Sequence, residues 1–199
     1  SRFCYNKLMK RINTFDILKQ QSFGIKADLK LLGIKQLTGE KRRQILKGST
    51  RLKNTEIAVV SRLKLEAKIK AKMDRFGEPR SKILDTIGHR VIVADLSQLE
   101  MVINKLRFFG ETPTKNEMLL RNGKLSFPWI RDYRKKFHPG KSVLTSTAYN
   151  EAVHMNRKIA RSICEIQVVT YALYKRAFVN RSGDVAHAQF ARRRTKKYQ

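Results

Sequence analysis

Negative charge is what this sequence has least of. Its 199 residues carry 16 Asp plus Glu against 44 Lys plus Arg, a formal net charge of +28 at pH 7. A field of this size draws polyanions and raises encounter rates with them, so the natural partner class is RNA (a tRNA or the ribosome) or DNA. Cysteine is nearly missing as well. Cys4 and Cys164 are too few for a disulfide framework or a zinc site of their own, and they fit a reducing, cytoplasmic compartment. No apolar run is long enough to span a bilayer, which excludes a membrane-embedded chain. No continuous apolar stretch near the N-terminus reads as a secretory signal. The chain starts at Ser1, so initiator removal or upstream processing stays open. Repeats and low-complexity tracts are absent.

What the sequence does have is enough apolar material for a core. Hydrophobic residues make up 41%, and the length fits one domain with additions. The rest of the chain is organised around residues 61–95. Lys64, Lys68 and Lys72 recur every fourth residue, the spacing of one helix face, with Leu65, Ile69 and Met73 one step on as a core stripe. Like charges at that spacing cost a few tenths of a kcal/mol per pair, a cost that a bound polyanion reverses. Asp85 stands five residues before Arg90, at the entrance to the β-branched run Val91-Ile92-Val93.

Residues 1–36 read as helical, with Phe3, Leu8, Ile12, Phe15 and Leu18 on one face and a break at Phe23-Gly24. A further helix opens at Thr38-Gly39 and closes at Gly48. Glu56 to Val60 is a short β-rich run feeding the Lys-striped helix, which puts Arg62 at a helix N-terminus, where free N–H groups favour anions. Ile83 to Val93 leads into a strand. The next helix opens at residues 94–97, buries Leu99, Val102, Ile103, Leu106 and Phe109, and ends at Gly110. Residues 111–128 are irregular. Arg131, Arg134, Lys135 and Lys136 interleave with Trp129, Tyr133 and Phe137, a mixture suited to base stacking and phosphate contact, although Trp129 and Tyr133 suit a core equally well. Val143 to Tyr149 alternates as a strand, residues 150–158 connect, Ile163 to Val169 is another strand, and a helix covers residues 170–178. A last helix, 184–198, ends in Arg192, Arg193, Arg194, Lys196 and Lys197. The expected fold is α/β: a mixed sheet of about five strands flanked by helices, with extra N- and C-terminal helices. Residues 1–50 form a helical region, 51–180 the main domain, and 181–199 a basic tail.

The central stretch resembles the synthetase domain of the RelA/SpoT family. The family's G-R-x-K-x-x-x-S-I-x-x-K-M is matched by Ser61-Arg62-Leu63-Lys64, Lys68-Ile69 and Lys72-Met73, with Ser61 in place of Gly and Lys68 in place of Ser. Its D-x-x-x-x-R-[VI]-[IV] is matched from Asp85 to Ile92, its D-Y by Asp132-Tyr133, and its E-[IV]-Q by Glu165-Ile166-Gln167. The resemblance covers about residues 56–175. It implies a nucleotidyltransferase-like fold and transfer of pyrophosphate from ATP to a nucleotide 3′-hydroxyl, with Mg²⁺ as cofactor. In those terms Asp85 is the metal ligand. Glu165 is the second acidic group, at the metal or activating the hydroxyl, and the two carboxylates share one ion. Arg62, Lys64 and Lys72 hold ATP phosphates, helped by Lys68 and Arg90, and Gln167 supports Glu165.

The acceptor side departs from the family. Where the family writes P-K-P-N-G-Y-x-S-x-H, residues 137–145 read FHPGKSVLT, with Lys141 at the place of the Tyr and Thr145 at that of the His. Val169 replaces the Arg of E-I-Q-I-R-T. These departures argue against an ordinary GDP or GTP acceptor. With the charge, they favour an RNA 3′ end, as in the small family members that are toxins modifying the tRNA CCA end. Arg131, Tyr133, Lys135, Lys136, Lys141, Arg192, Arg193 and Arg194 are the candidate acceptor contacts. The alternative is a degenerate synthetase domain that binds RNA, the ribosome or another nucleic acid without catalysis.

Overall fold

The computed structural model describes residues 14–125, 128–134 and 151–180. The expected strand at 143–149, the last helix and basic tail, and the candidate residues Lys135, Lys136, Lys141, Arg192, Arg193 and Arg194 lie outside the described residues, as does the 137–145 loop. A six-stranded mixed sheet runs through the middle. In chain order the elements are α1 (Thr14–Lys30), β1 (Lys35–Gln36), α2 (Gly39–Lys47), β2 (Glu56–Leu63), α3 (Glu66–Phe76), β3 (Ile87–Val93), α4 (Leu96–Leu106), the one-turn α5 (Lys115–Met118), β4 (Ile130–Asp132), β5 (Ala152–Ile159), β6 (Ser162–Thr170) and α6 (Tyr171–Tyr174). A π-helical turn, Lys175–Val179, continues α6.

The sheet order is β1-β2-β3-β6-β5-β4. The β1–β2 and β3–β6 pairs are parallel and the others antiparallel. Its centre, β3, is buried on both faces, so it reads as an unbroken apolar run at Val91, Ile92 and Val93. Alternation then sorts side chains to two cores. Val59, Ile87, Val91, Met155, Ile166 and Val168 meet Leu18, Ile25 and Leu29 of α1 and Leu99, Val102 and Leu106 of α4 on one face. Ala58, Ile92, Ala152 and Val169 meet Ile45 of α2 and Tyr171, Leu173 and Tyr174 of α6 on the other.

Several local expectations change. The break expected at Phe23-Gly24 does not occur: α1 runs through it, because Gly24 is where the ring of Phe109 packs, and a Cβ there would sit 2.8 Å from that ring. β2 runs on to Leu63 and α3 opens only at Glu66. Arg62 is therefore a strand residue, and Lys64 precedes the helix rather than starting a stripe along it. Leu65 is exposed while Ile69 is buried. Residues 150–158, expected as a connection, form most of β5, which pairs with β6 through a two-residue turn at Ala160-Arg161. Both turn residues have positive φ (51° and 62°). That conformation normally calls for Asn-Gly, and the lack of glycine hides the hairpin from the sequence.

One buried hydrogen-bond chain fastens α1 to the sheet. Gln21 Nε2 donates to the carbonyls of Ile159 (3.0 Å) and Ser162 (3.2 Å) in the β5–β6 turn. Its Oε1 is therefore an acceptor, and His89 Nε2 lies 3.0 Å from it. His89 Nδ1 lies 2.8 Å from Ser61 Oγ, which in turn lies 3.0 Å from Ser22 Oγ. A neutral ring protonated at Nε2 satisfies every member. Burial pushes the His89 pKa down to about 4, aided by the charge of Lys26.

Candidate functional site

Strand register assembles the site. Arg62, Gly88, Glu165 and Asn156 are lateral neighbours across β2, β3, β6 and β5. One pleat along, Val60, Arg90, Gln167, His154 and Arg131 form a second row reaching β4. Residues opposite each other share a face, so both rows stand on the α2/α6 side of the sheet. Gly88 leaves a gap between Arg62 and Glu165: a Cβ there would still be 4.0 Å from Arg62 Nε. The resulting pocket is lined by Val60, Arg62, Lys64, Asp85, Glu165 and Gln167 among others. At about 30 Å³ it is the size of one water or ion.

Asp85 enters from the loop before β3. Lys64 and Lys72 both donate to its Oδ2, Lys72 from 2.5 Å. Its Oδ1 is buried and has no hydrogen-bond partner among the described residues. Burial raises the Asp85 pKa, but the charges of Lys72 and Lys64 outweigh that and hold it below the usual value. Lys64 is pushed down to about 8, by burial first and by the charge of Lys72, against the pull of Asp85. The two lysines thus sit on Asp85 itself. Lys68, expected beside them, is exposed on α3. Lys64 reaches Asp85 from the chain end of β2, and only Lys72 does so from the helix.

Glu165 sits in a chain of oriented groups. Gln167 Nε2 donates to Glu165 Oε2 (2.7 Å), and Gln167 Oε1 accepts from Arg90 Nε (3.0 Å) and Nη2 (2.7 Å). The Arg90 guanidinium lies 3.7 Å over the ring of Phe178, on the π-helical turn. Arg90 thus braces Gln167 and also lines the pocket, at the place where the resemblance implied a phosphate ligand. On the other side, His154 Nδ1 is 3.3 Å from Glu165 Oε1. Burial raises the Glu165 pKa, but the bond and charge of His154, the Gln167 amide and the charge of Lys64 prevail and hold it at about 2.

His154 is the neighbour of Glu165 that the sequence reading missed. Aligning the family's histidine with Thr145 leaves no histidine in the site, yet β5 supplies one nine residues on, opposite Gln167. With no glycine at the Ala160-Arg161 turn, no local signal in the sequence brings His154 opposite Gln167. On the acceptor side, Tyr133 is buried, with its ring edge-on to His154 at 4.8 Å, so it is not presented for base stacking. Arg131 Nη1 reaches the Tyr133 hydroxyl at 3.4 Å. Arg134 is held by Asp132 and Glu100. No group of three or more His, Cys, Asp or Glu among the described residues is arranged to hold a metal, and no helix among them is long and apolar enough to cross a membrane.

No protein-family model matches the chain, and no curated protein matches it. Among solved structures it is similar to small alarmone synthetase 1 from Bacillus subtilis bound to its product pppGpp, at 16% identity over 92% of this chain and 90% of that one, with a TM-score of 0.45. It is also similar to a GTP pyrophosphokinase family protein from Streptococcus pneumoniae, at 20% identity over 93% and 82%, with a TM-score of 0.46. The Bacillus subtilis small alarmone synthetase 1 bound to AMPCPP gives 14% identity over 95% and 88%, with a TM-score of 0.40.

Proposed function

We propose that this chain is a RelA/SpoT-like pyrophosphokinase that transfers pyrophosphate from ATP to a 3′-hydroxyl. The observation that carries the reading is the meeting of Asp85, Glu165, Arg62 and Lys64, which belong to three separate motifs, around one ion-sized pocket over Gly88. The pocket suits a hard divalent ion such as Mg²⁺. Asp85 offers a buried carboxylate oxygen with no hydrogen-bond partner among the described residues, and Glu165, in the lining of the same pocket, is a second oxygen donor. Two carboxylates suffice for an ion that keeps waters and substrate phosphates as its other ligands. When bound, Mg²⁺ neutralises charge on the transferring phosphates.

The residues of the chain do the rest. Arg62 and Lys64 flank the pocket and hold phosphate oxygens, and Lys72 backs them. The acceptor oxygen bonds to the β-phosphorus of ATP, the bond from that phosphorus to the α,β-bridging oxygen breaks, and AMP departs with that oxygen. Glu165, held ionised, accepts a hydrogen bond from the acceptor hydroxyl and orients it. His154 Nδ1, 3.3 Å from Glu165 Oε1, helps to keep that carboxylate ionised and oriented, and the hydroxyl proton passes to solvent as the new bond to phosphorus forms. Arg90 and Phe178 fix Gln167, which fixes the Glu165 carboxylate. The net charge of +28 favours an RNA 3′ end over a free guanine nucleotide as acceptor.

A second reading, nucleic-acid binding without transfer, draws support from Lys64 and Lys72, which already compensate the Asp85 charge. The deciding experiment incubates the protein with γ-labelled ATP, Mg²⁺ and either GDP, GTP or deacylated tRNA. Label on the tRNA, lost in the Asp85→Asn variant, supports transfer to RNA. RNA binding with no label on any acceptor selects the second reading.

A further inference from the structure

A second, larger concavity lies behind the site. It measures about 730 Å³ and runs between the start of α1, the residues just before β3, α5 and the β5–β6 turn. That volume is within the range of small-molecule sites. Its deep wall is aliphatic: Ile83, Leu84 and Ile87 are buried there, with Ile17 and Ile163 beside them. Its rim carries Arg161, Arg80, which pairs with Glu66, and Lys82, whose Nζ donates to the Asn116 carbonyl (2.6 Å). Glu117 is the one acidic residue of the lining, and Lys158 Nζ at 2.7 Å already neutralises it.

One further observation points to a ligand. Arg161 is exposed and has no ion-pair partner among the described residues. It is also held, with Ala160, in left-handed backbone, which costs a non-glycine residue about 1–2 kcal/mol. The two-residue β5–β6 turn imposes that backbone on whichever residues occupy it. Glycine would relieve it and lose only the guanidinium.

We propose that this groove binds a nucleotide unit, with the phosphate on Arg161, Lys82 and Arg80 and the base and sugar on the aliphatic wall. A free nucleotide and one residue of single-stranded RNA share that chemistry. The site is separate from the proposed ATP pocket, but Leu84 and Thr86 line it and flank Asp85 in the chain. A nucleotide there fixes the segment that delivers Asp85. This role in catalysis rests on the proposed function; the binding does not.

The test follows the δ1-methyl NMR signals of Ile17, Ile83, Ile87 and Ile163 in the full chain. α,β-Methylene-ATP and a short oligouridylate are titrated separately. Saturable shifts with either probe support the site, and the probe that binds tighter identifies the source. Arg161→Gly should raise the Tm, because it removes strain, yet weaken the shifts about tenfold or more, because a charge-assisted hydrogen bond is gone. Ala160→Gly should raise the Tm and leave binding intact. Absence of shifts with both probes, or equal affinity in Arg161→Gly, overturns the proposal. Arg62→Ala should leave these signals unchanged. If no variant or wild type transfers pyrophosphate but the methyl shifts remain, the proposed function falls and the groove stands.

Discussion

Acid should loosen this protein through a single imidazole. His89 is 1% exposed, in the middle of the chain that ties α1 to the β5–β6 turn. Its pKa in the fold, about 4, lies below the ordinary 6.5. The native state therefore binds fewer protons than the unfolded state between those values, and stability rises with pH there. The contribution is complete above pH 6.5 and disappears as the pH falls through 4. At about 1.4 kcal/mol for each tenfold change in proton affinity, it amounts to about 3 kcal/mol. Carboxylates held down by cations, such as Glu165 and Glu117, act the same way but only below their unfolded value of 4.5. The range from pH 6.5 to 4.5 thus belongs mainly to His89. Urea unfolding at half-unit steps through that range should show a loss of about 2–3 kcal/mol in the wild type and a flatter profile in His89→Gln. Amide exchange at pH 5 should rise first along α1. An unchanged unfolding free energy from pH 7 to 5, or an equal fall in His89→Gln, would refute the assignment.

Asp85→Asn should reduce Mg²⁺-dependent transfer by roughly 10²-fold or more while leaving the circular dichroism unchanged, as a radiolabel assay can read. Arg157→Met should destabilise the fold by about 2–3 kcal/mol in chemical denaturation, because the buried guanidinium serves the carbonyls of Phe109 and Gly110 and the Thr112 hydroxyl, all of which would lose their donor. Leu106→Ala, at a fully buried position of α4, should cost about 2–5 kcal/mol in the same measurement. Removing residues 191–199, which include Arg192, Arg193, Arg194, Lys196 and Lys197, should weaken RNA binding for all sequences alike and flatten its salt dependence in filter binding.

The sequence was most legible where a single physical rule acts alone. The apolar run at Val91 announces a strand buried on both faces, and the spacing of Leu99, Val102, Ile103 and Leu106 announces the buried face of α4. Asp85 and Glu165 line one pocket. Legibility failed where a tertiary neighbour decides the local outcome. Gly24 looks like a helix breaker until Phe109 is seen to need its missing side chain. Ala160-Arg161 does not look like a turn, because nothing local favours its backbone. With that hairpin hidden, β5 was read as a connection and His154 went unnoticed. The Lys64, Lys68 and Lys72 repeat looked like one helix face because the end of β2 carries no breaker, so the point where strand yields to helix is invisible.

The parallel pairing of β3 with β6 joins residues 88–93 to residues 165–170. Both Asp85 and Arg62 depend on β3 to meet Glu165, so the pocket closes only when two segments far apart in sequence come together. Closing so long a loop is entropically slow, and pairings of this kind set the pace of folding. A chain growing from the ribosome has α1, β2, β3 and α4 available long before β6 exists. It can bury the α1 and α4 side early and still lack a working centre. During synthesis, therefore, any activity should switch on late and all at once, after the β5–β6 hairpin has emerged and docked.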